Sequence, residues 1–232
     1  MIFIHLGAGA GDLDSRSNFR CGFTEFIKKN SLKDDKIILV EANPKNIDKL
    51  KNSYKKYNNV NIINCIISND NIGVKKFYYA EDDGPHYQVA STDIGHVKKY
   101  YPNSEIKFYE IQSISINHLL ESFMGNDIDY LSIDIEGLDY QVLMAINLDK
   151  FNIHNISIEY LHLSKFEKKN MINHLIKKNY SYCGFGYDHN NYDYIFKKKK
   201  IFTNIILSKL IWLISTKHYK IINHFLRDKI KR

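Results

Sequence analysis

The chain holds only 3 proline, 3 cysteine and 1 tryptophan residues in 232. With 11 glycines beside those few prolines, it is neither collagen-like nor a linker-rich, low-complexity chain. Cys21, Cys65 and Cys183 are odd in number and far apart. They supply neither a disulfide framework nor a CxxC metal or redox pair, so reduced thiols are expected. Apolar runs of the roughly 18 residues that a membrane span requires are missing too. So are the basic n-region and apolar h-region of a signal peptide, because Met1-Ile2-Phe3-Ile4 leads directly into glycine-rich sequence. A cytoplasmic protein is expected.

A composition of 44% hydrophobic and 25% charged residues suits a soluble globular protein, and 232 residues suit one large domain with an appendage. The net charge of +7 is unevenly spread: residues 197–232 carry eleven Lys and Arg against the single acid Asp228. That tail is +10, which leaves 22 basic and 25 acidic side chains, or −3, on residues 1–196. A mildly acidic body gives no electrostatic footprint for nucleic acid, so nucleic acid is not the favoured partner. Within 201–232, Ile205, Ile206, Leu210, Leu213 and Ile214, then Ile221, Ile222, Phe225, Leu226 and Ile230, recur at helical spacing. Two amphipathic helices with basic flanks and Trp212 fit either peripheral contact with the inner face of an anionic membrane or packing on the domain or a second subunit. The predicted division is a domain over 1–200 and a basic helical tail over 201–232.

Short β-rich runs alternate with helical stretches, which predicts an α/β domain with a mostly parallel sheet. Predicted strands are 2–6 (IFIHL), 36–41 (KIILVE), 60–67 (VNIINCII), 129–134 (DYLSID) and 155–161 (NISIEYL). Helices are predicted over 44–57, over the stripe Leu138, Val142, Leu143 and Ile146, and over 165–179. Runs 180–187 and 192–197, joined by the turn-like Asp188-His189-Asn190-Asn191, predict a closing antiparallel hairpin. The stretch 73–117, with its polar Glu81-Asp82-Asp83-Gly84-Pro85-His86, is predicted to be an insertion covering the crevice at the carboxyl ends of the strands.

Gly7-Ala8-Gly9-Ala10-Gly11 follows the first strand. Neither register satisfies GxGxxG, since Asp12 or Asp14 stands where the third glycine belongs, and no GxxxxGK[ST] phosphate loop exists. The remaining GxGxG suits a ligand with an adenosine but no phosphate. Glu41, ending the second strand, can accept hydrogen bonds from both ribose hydroxyls. Together the two features form the usual layout for S-adenosylmethionine.

Ile128 to Leu143 reads IDYLSIDIEGLDYQVL. This segment resembles the DxEG signature of the FkbM-type methyltransferases. The resemblance extends through FIHLGAGAG (3–11), LVEANP (39–44), NCIISND (64–70), SISINHLL (113–120) and ISIE (156–159), over roughly 1–197. It implies a Rossmann-like class I methyltransferase fold with a seven-stranded, mostly parallel sheet ending in an antiparallel hairpin. It also implies S-adenosylmethionine-dependent O-methylation, with a carbohydrate or glycoconjugate as acceptor. Carried over by position, His5, Gly7, Ala8, Gly9, Gly11, Glu41, Ala42, Asn64, Cys65 and Asp134 would bind the cofactor. Gly7, Ala8, Gly9 and Gly11 would line its methionine part, Glu41 its ribose, and Asn64 and Cys65 its adenine. Three positions depart from the family pattern: His5 and Asn117 stand where Asp is usual, and Ser132 replaces a common Lys.

Transfer of a methyl group to a hydroxyl needs alignment and a base. Asp134 and Glu136 are the best-placed carboxylates, with Glu159 and His162 at the end of the next strand as further catalytic candidates. Glu136 could instead cap the helix that follows it. Asp134, Glu136, Glu159 and His162 could also hold Mg²⁺ or Mn²⁺ if the loops converge, with Asp134, Glu159 and His162 as the metal candidates. A metal is not the favoured reading. His86 is a second candidate base, and Ser91 and Thr92 are candidates to shape the acceptor pocket. A methyltransferase of RNA or another anionic acceptor, and a non-catalytic binding module, are the alternatives.

Overall fold

The structure is a computed structural model that describes residues 1–11, 21–69, 72–86, 89–186 and 192–198, without the side chains of 84–86. The tail 201–232, the turn 188–191 and the His86 side chain lie outside the described residues.

The main sheet has seven strands in the order β3-β2-β1-β7-β8-β10-β9. They are β1 (Ile2–Leu6), β2 (Lys36–Val40), β3 (Val60–Ile63), β7 (Tyr130–Ile133), β8 (Asn155–Glu159), β9 (Ser181–Phe185) and β10 (Asp193–Lys197). β10 runs antiparallel to both its neighbours, and every other pairing is parallel. The predicted seven-stranded, mostly parallel sheet with an antiparallel hairpin is therefore present. Its central strands are mostly apolar because both faces are covered, with His5, Ser132 and Ser157 as buried polar exceptions. Ile4, Leu6, Ile38 and Val40 point to one side, toward Leu119, Leu120, Val142, Leu143, Met171 and Leu175. Phe3, Ile37 and Leu39 point to the other, toward Phe23, Ile27, Leu50 and Tyr54.

Helices α4 (Ile116–Glu121), α5 (Asp139–Ala145) and α6 (Lys165–Lys177) supply the first layer, and α1 (Gly22–Asn30) and α2 (Ile47–Tyr54) the second. The start of α6 is set by a capping box, in which Ser164 Oγ accepts the Glu167 N–H and Glu167 accepts the Ser164 N–H. Such a cap contributes about 0.5–2 kcal/mol. Asn117 ties α4 to the end of α5, donating to the Ala145 carbonyl at 2.8 Å and accepting the Asn147 N–H at 3.0 Å.

Two predictions are corrected. The strand expected over 60–67 is two strands, because the chain leaves the main sheet at Asn64 and β4 (Ile66–Ser68) joins a second sheet. The helix expected over 44–57 is a 3₁₀ turn, Pro44–Asn46, followed by α2. The insertion over 73–117 is built on that second sheet, in the order β4-β6-β5, with β5 (Gly73–Ala80), β6 (Ile106–Ser115) and the short helix α3 (Ile94–Tyr100). It packs at the carboxyl edge of the main sheet around Ile66, Phe77, Tyr79, Ala90 and Ile111. Among the described residues no helix is long and apolar enough to cross a membrane.

Candidate active site

At the end of β1 the chain turns through Gly7, whose φ is +79°. A Cβ at this position would overlap the carbonyl of Asp134, so only glycine lets the ends of β1 and β7 meet. The N–H groups of Gly7 and Ala8 both donate to the Val40 carbonyl, at 2.9 and 3.0 Å, which ties the loop to the end of β2. Directly after β2, the Glu41 carboxylate accepts the Gly9 N–H on Oε2 and the Asn43 N–H on Oε1, each at 2.7 Å. Burial pushes the Glu41 carboxyl up, and the N–H groups of Asn43 and Gly9 with the Asn46 side chain only partly offset this. With the Asn46 side chain as a third donor, one of the four carboxylate lone pairs remains for an incoming hydroxyl.

Beneath this loop lies a cavity of about 420 Å³, within the usual size range for a small-molecule site. Cys65, Ile66, Ile67, Phe77, Val89 and Ala90 form an apolar wall beside Glu41, much of it contributed by the insertion. Burial pushes the Cys65 thiol up to about 11, so it is a neutral wall group at physiological pH. His5 stacks on Phe23 with ring centroids 4.5 Å apart, and burial brings its imidazole down to about 3. Among the described residues its Nδ1, buried against the cavity, has no hydrogen-bond partner.

The opposite end is acidic, with Asp134, Glu136, Glu159 and Asp193 on the wall. Burial raises the Asp134 carboxyl well above the ordinary carboxylate range, and the charges of Glu159, Glu136, Asp193 and Asp139 raise it further. The Asp-Ile-Glu-Gly turn that carries these groups is left-handed at two consecutive residues, Glu136 at φ +50° and Gly137 at φ +96°. Two contacts over-determine it. Asp139 accepts the Ile135 N–H at 2.8 Å and the Gly137 N–H at 3.2 Å, and Ser91 Oγ donates to the Glu136 carbonyl at 2.9 Å. Asp139, and not Glu136, therefore serves the turn's free N–H groups.

With its backbone held, the Glu136 carboxylate reaches toward two imidazoles. His96 Nε2 on α3 stands 3.3 Å and His162 Nε2 3.5 Å from Glu136 Oε2. Burial pushes Glu136 up, yet His162 and His96 together bring it below the ordinary range. His162 Nε2 also lies 3.7 Å from Glu159 Oε2, and its Nδ1 lies 3.3 Å from the Tyr100 hydroxyl.

The cavity thus gathers His5, Gly7, Ala8, Gly9, Gly11, Glu41, Ala42, Cys65, Asp134, Glu136, Glu159, His162 and Thr92. Asn64, expected beside an adenine, is not part of the lining. Its amide donates to the carbonyls of Glu41 at 2.8 Å and Ala42 at 3.0 Å, fixing the turn that presents Glu41. Ser91, expected to shape the pocket, is buried behind the Glu136 turn. The four residues considered as one metal set divide between two groups, Asp134 and Glu159 with Asp139, and Glu136 and His162 with His96. Sequence reasoning missed His96 and Tyr100, whose only signal was their place in the insertion.

The strand order, the glycine turn after β1 and the acid after β2 define a Rossmann-like methyltransferase domain. A family model described as the methyltransferase FkbM domain matches residues 6–188. The chain belongs to that family. Among solved structures, Aeropyrum pernix fibrillarin, crystallised with natively bound S-adenosyl-L-methionine, is similar at 13% identity and a TM-score of 0.38. That likeness covers 84% of this chain and 64% of the other, so this chain spans just under two thirds of that structure's length. No curated protein matches the chain.

Proposed function

We propose that the protein transfers a methyl group from S-adenosylmethionine to a hydroxyl of a sugar or glycoconjugate. One observation carries this: a single cavity runs from the clasped Glu41 carboxylate, past an apolar wall, to a cluster of carboxylates headed by Asp134. The residues fit the cofactor from end to end. Glu41 offers its remaining lone pair to a ribose hydroxyl, and Cys65, Ile66, Phe77 and Ala90 offer an apolar slot for a flat base. A Cβ at Gly9 would meet nothing within 4 Å, which leaves room for a ligand against the backbone. The unpartnered His5 Nδ1 calls for a polar atom, and the acidic end suits the cationic end of the ligand.

When bound, S-adenosylmethionine supplies a methyl carbon activated by a sulfonium. The side chains of this protein supply alignment and proton acceptance. Asp134, held high by burial and by its acidic neighbours, binds a proton more tightly than an ordinary carboxylate and is the group best suited to take the hydroxyl proton. Glu136, already charged below the ordinary range, is a poorer base and a better anchor. The Glu136, Glu159 and Asp193 carboxylates at the acceptor end disfavour an anionic acceptor such as an RNA backbone, and a neutral sugar hydroxyl meets no such repulsion.

Isothermal titration with S-adenosylmethionine and S-adenosylhomocysteine tests the cofactor assignment, and absence of binding by both overturns it. Methyl-label transfer into glycan extracts tests the acceptor. Cofactor binding with no label in any hydroxyl-bearing fraction would favour a non-catalytic module.

A further inference from the structure

We propose that His96, Glu136 and His162 form a site for one divalent transition-metal ion at the acceptor end of the cavity. The inference builds on the methyltransferase reading, because it assigns the ion to the place where the acceptor hydroxyl would sit.

The donor atoms are one carboxylate oxygen and two imidazole nitrogens, all within 4.8 Å of one another. Two donors each about 2.1 Å from a common ion stand roughly 3.0 Å apart in octahedral and 3.4 Å apart in tetrahedral coordination. The observed separations from Glu136 Oε2 are 3.3 Å to His96 Nε2 and 3.5 Å to His162 Nε2. These exceed the usual hydrogen-bond range of about 2.7–3.2 Å and match the edges of a coordination polyhedron. Among the described residues His96 Nε2 has no hydrogen bond of good geometry, although its side chain is only 10% exposed. Nε2 faces the Glu136 carboxylate as an ion-pair partner, at a separation that an ion coordinated by both atoms would also give.

The surroundings are those of a ligand set. His162 Nδ1 has the Tyr100 hydroxyl at 3.3 Å, the outer partner that orients a metal-binding imidazole. The two rings meet edge-on, with centroids 5.0 Å apart at 84°, so both nitrogens can converge on one point. Ser91 pins the Glu136 backbone from the insertion that also carries His96, which fixes one ligand relative to another before any ion arrives. Two imidazoles and one carboxylate select Mn²⁺, Fe²⁺, Co²⁺ or Zn²⁺ over Ca²⁺, which prefers oxygen donors only. Three protein ligands leave coordination positions open, and Glu136 and His162 both face the cavity. An acceptor hydroxyl bound there would be oriented and acidified beside Asp134. The neighbouring group Asp134, Asp139 and Glu159 is not a second such site, because Asp139 is committed to the Ile135 and Gly137 N–H groups.

The test uses the full chain, stripped with a chelator and titrated with Mn²⁺ by electron paramagnetic resonance, with Zn²⁺ and Mg²⁺ as competitors. We expect one Mn²⁺ per chain, displaced by Zn²⁺ and not by equimolar Mg²⁺. His96→Ala and His162→Ala should each weaken Mn²⁺ at least 10-fold, while His96→Ala retains S-adenosylhomocysteine binding and its melting temperature. Should His96→Ala fail to fold, His96→Gln with the same readout replaces it. Failure of the native chain to bind stoichiometric Mn²⁺, or unchanged binding by the His96 variants, overturns the site. Because S-adenosylhomocysteine binding is measured separately, loss of the metal inference leaves the methyltransferase reading standing, and loss of cofactor binding refutes that reading instead.

Discussion

Replacing Asp139 with alanine should damage both the stability of the domain and the position of Glu136. Its two oxygens accept the N–H groups of Ile135 and Gly137, and it stands in the first turn of α5, where a negative charge is favoured. Leaving a buried N–H without an acceptor costs about 1–3 kcal/mol, so two would cost about 2–6 kcal/mol. Two effects reduce this. Burial lifts the Asp139 carboxyl above its ordinary range, so removing it relieves a desolvation cost. The turn also borders the cavity, from which water can reach part of the exposed backbone. The expected net loss is therefore near the lower limit, about 2–3 kcal/mol. Urea unfolding at unchanged m-value measures it. Asp139→Asn should fall between, since one amide oxygen can still accept while its NH₂ faces a second donor. A stability of Asp139→Ala within about 0.5 kcal/mol of the native protein, as for a neutral surface change, would refute the role assigned to this side chain.

Asp134→Asn should abolish methyl transfer while the protein stays folded. Because the native Asp134 carboxyl sits above its unfolded value, the folded state binds the extra proton, and stability falls as pH rises from the ordinary carboxylate range through the raised value. A melting temperature that follows the same pH dependence in the Asn variant, or retained turnover, contradicts the assignment. His5 acts in the opposite sense. Brought down to about 3 by burial, it stays neutral in the fold while the unfolded imidazole takes a proton near 6.5, so stability drops as pH falls from 6.5 toward 3. Each pH unit in that window removes up to about 1.4 kcal/mol, and His5→Phe should flatten the dependence measured by pH-resolved denaturation.

Much of this fold can be read from the sequence because the central strands are covered on both faces. Runs such as IFIHL and KIILV are then almost wholly apolar, broken only by His5 and by Lys36 at the start of β2. The same logic misleads at 60–67, where apolar residues continue through Asn64-Cys65 although the chain leaves one sheet for another. Helix α1 gives no such signal, because Cys21 at its N-cap makes no side-chain cap. Strand β5 is buried only toward its end, so half of it reads as polar loop. Within the site, Glu41 and Asp134 are visible from their positions after strands, since strand ends converge at one edge of the sheet. His96 could not be found this way. It lies on the seven-residue helix α3, and only packing of the insertion against the Glu136 turn brings it to the carboxylate.

The position of β10 has a consequence for how the protein is made. It is the last of the seven strands in the chain, yet it lies between β8 and β9 and bonds to both. Until residues 193–197 leave the ribosome, β8 offers an open edge beside a nearly finished site, and β9 has no partner in the main sheet. The main sheet is therefore completed when the β9–β10 hairpin docks through β10 on the edge of β8. Such an exposed edge invites pairing between nascent chains in the meantime.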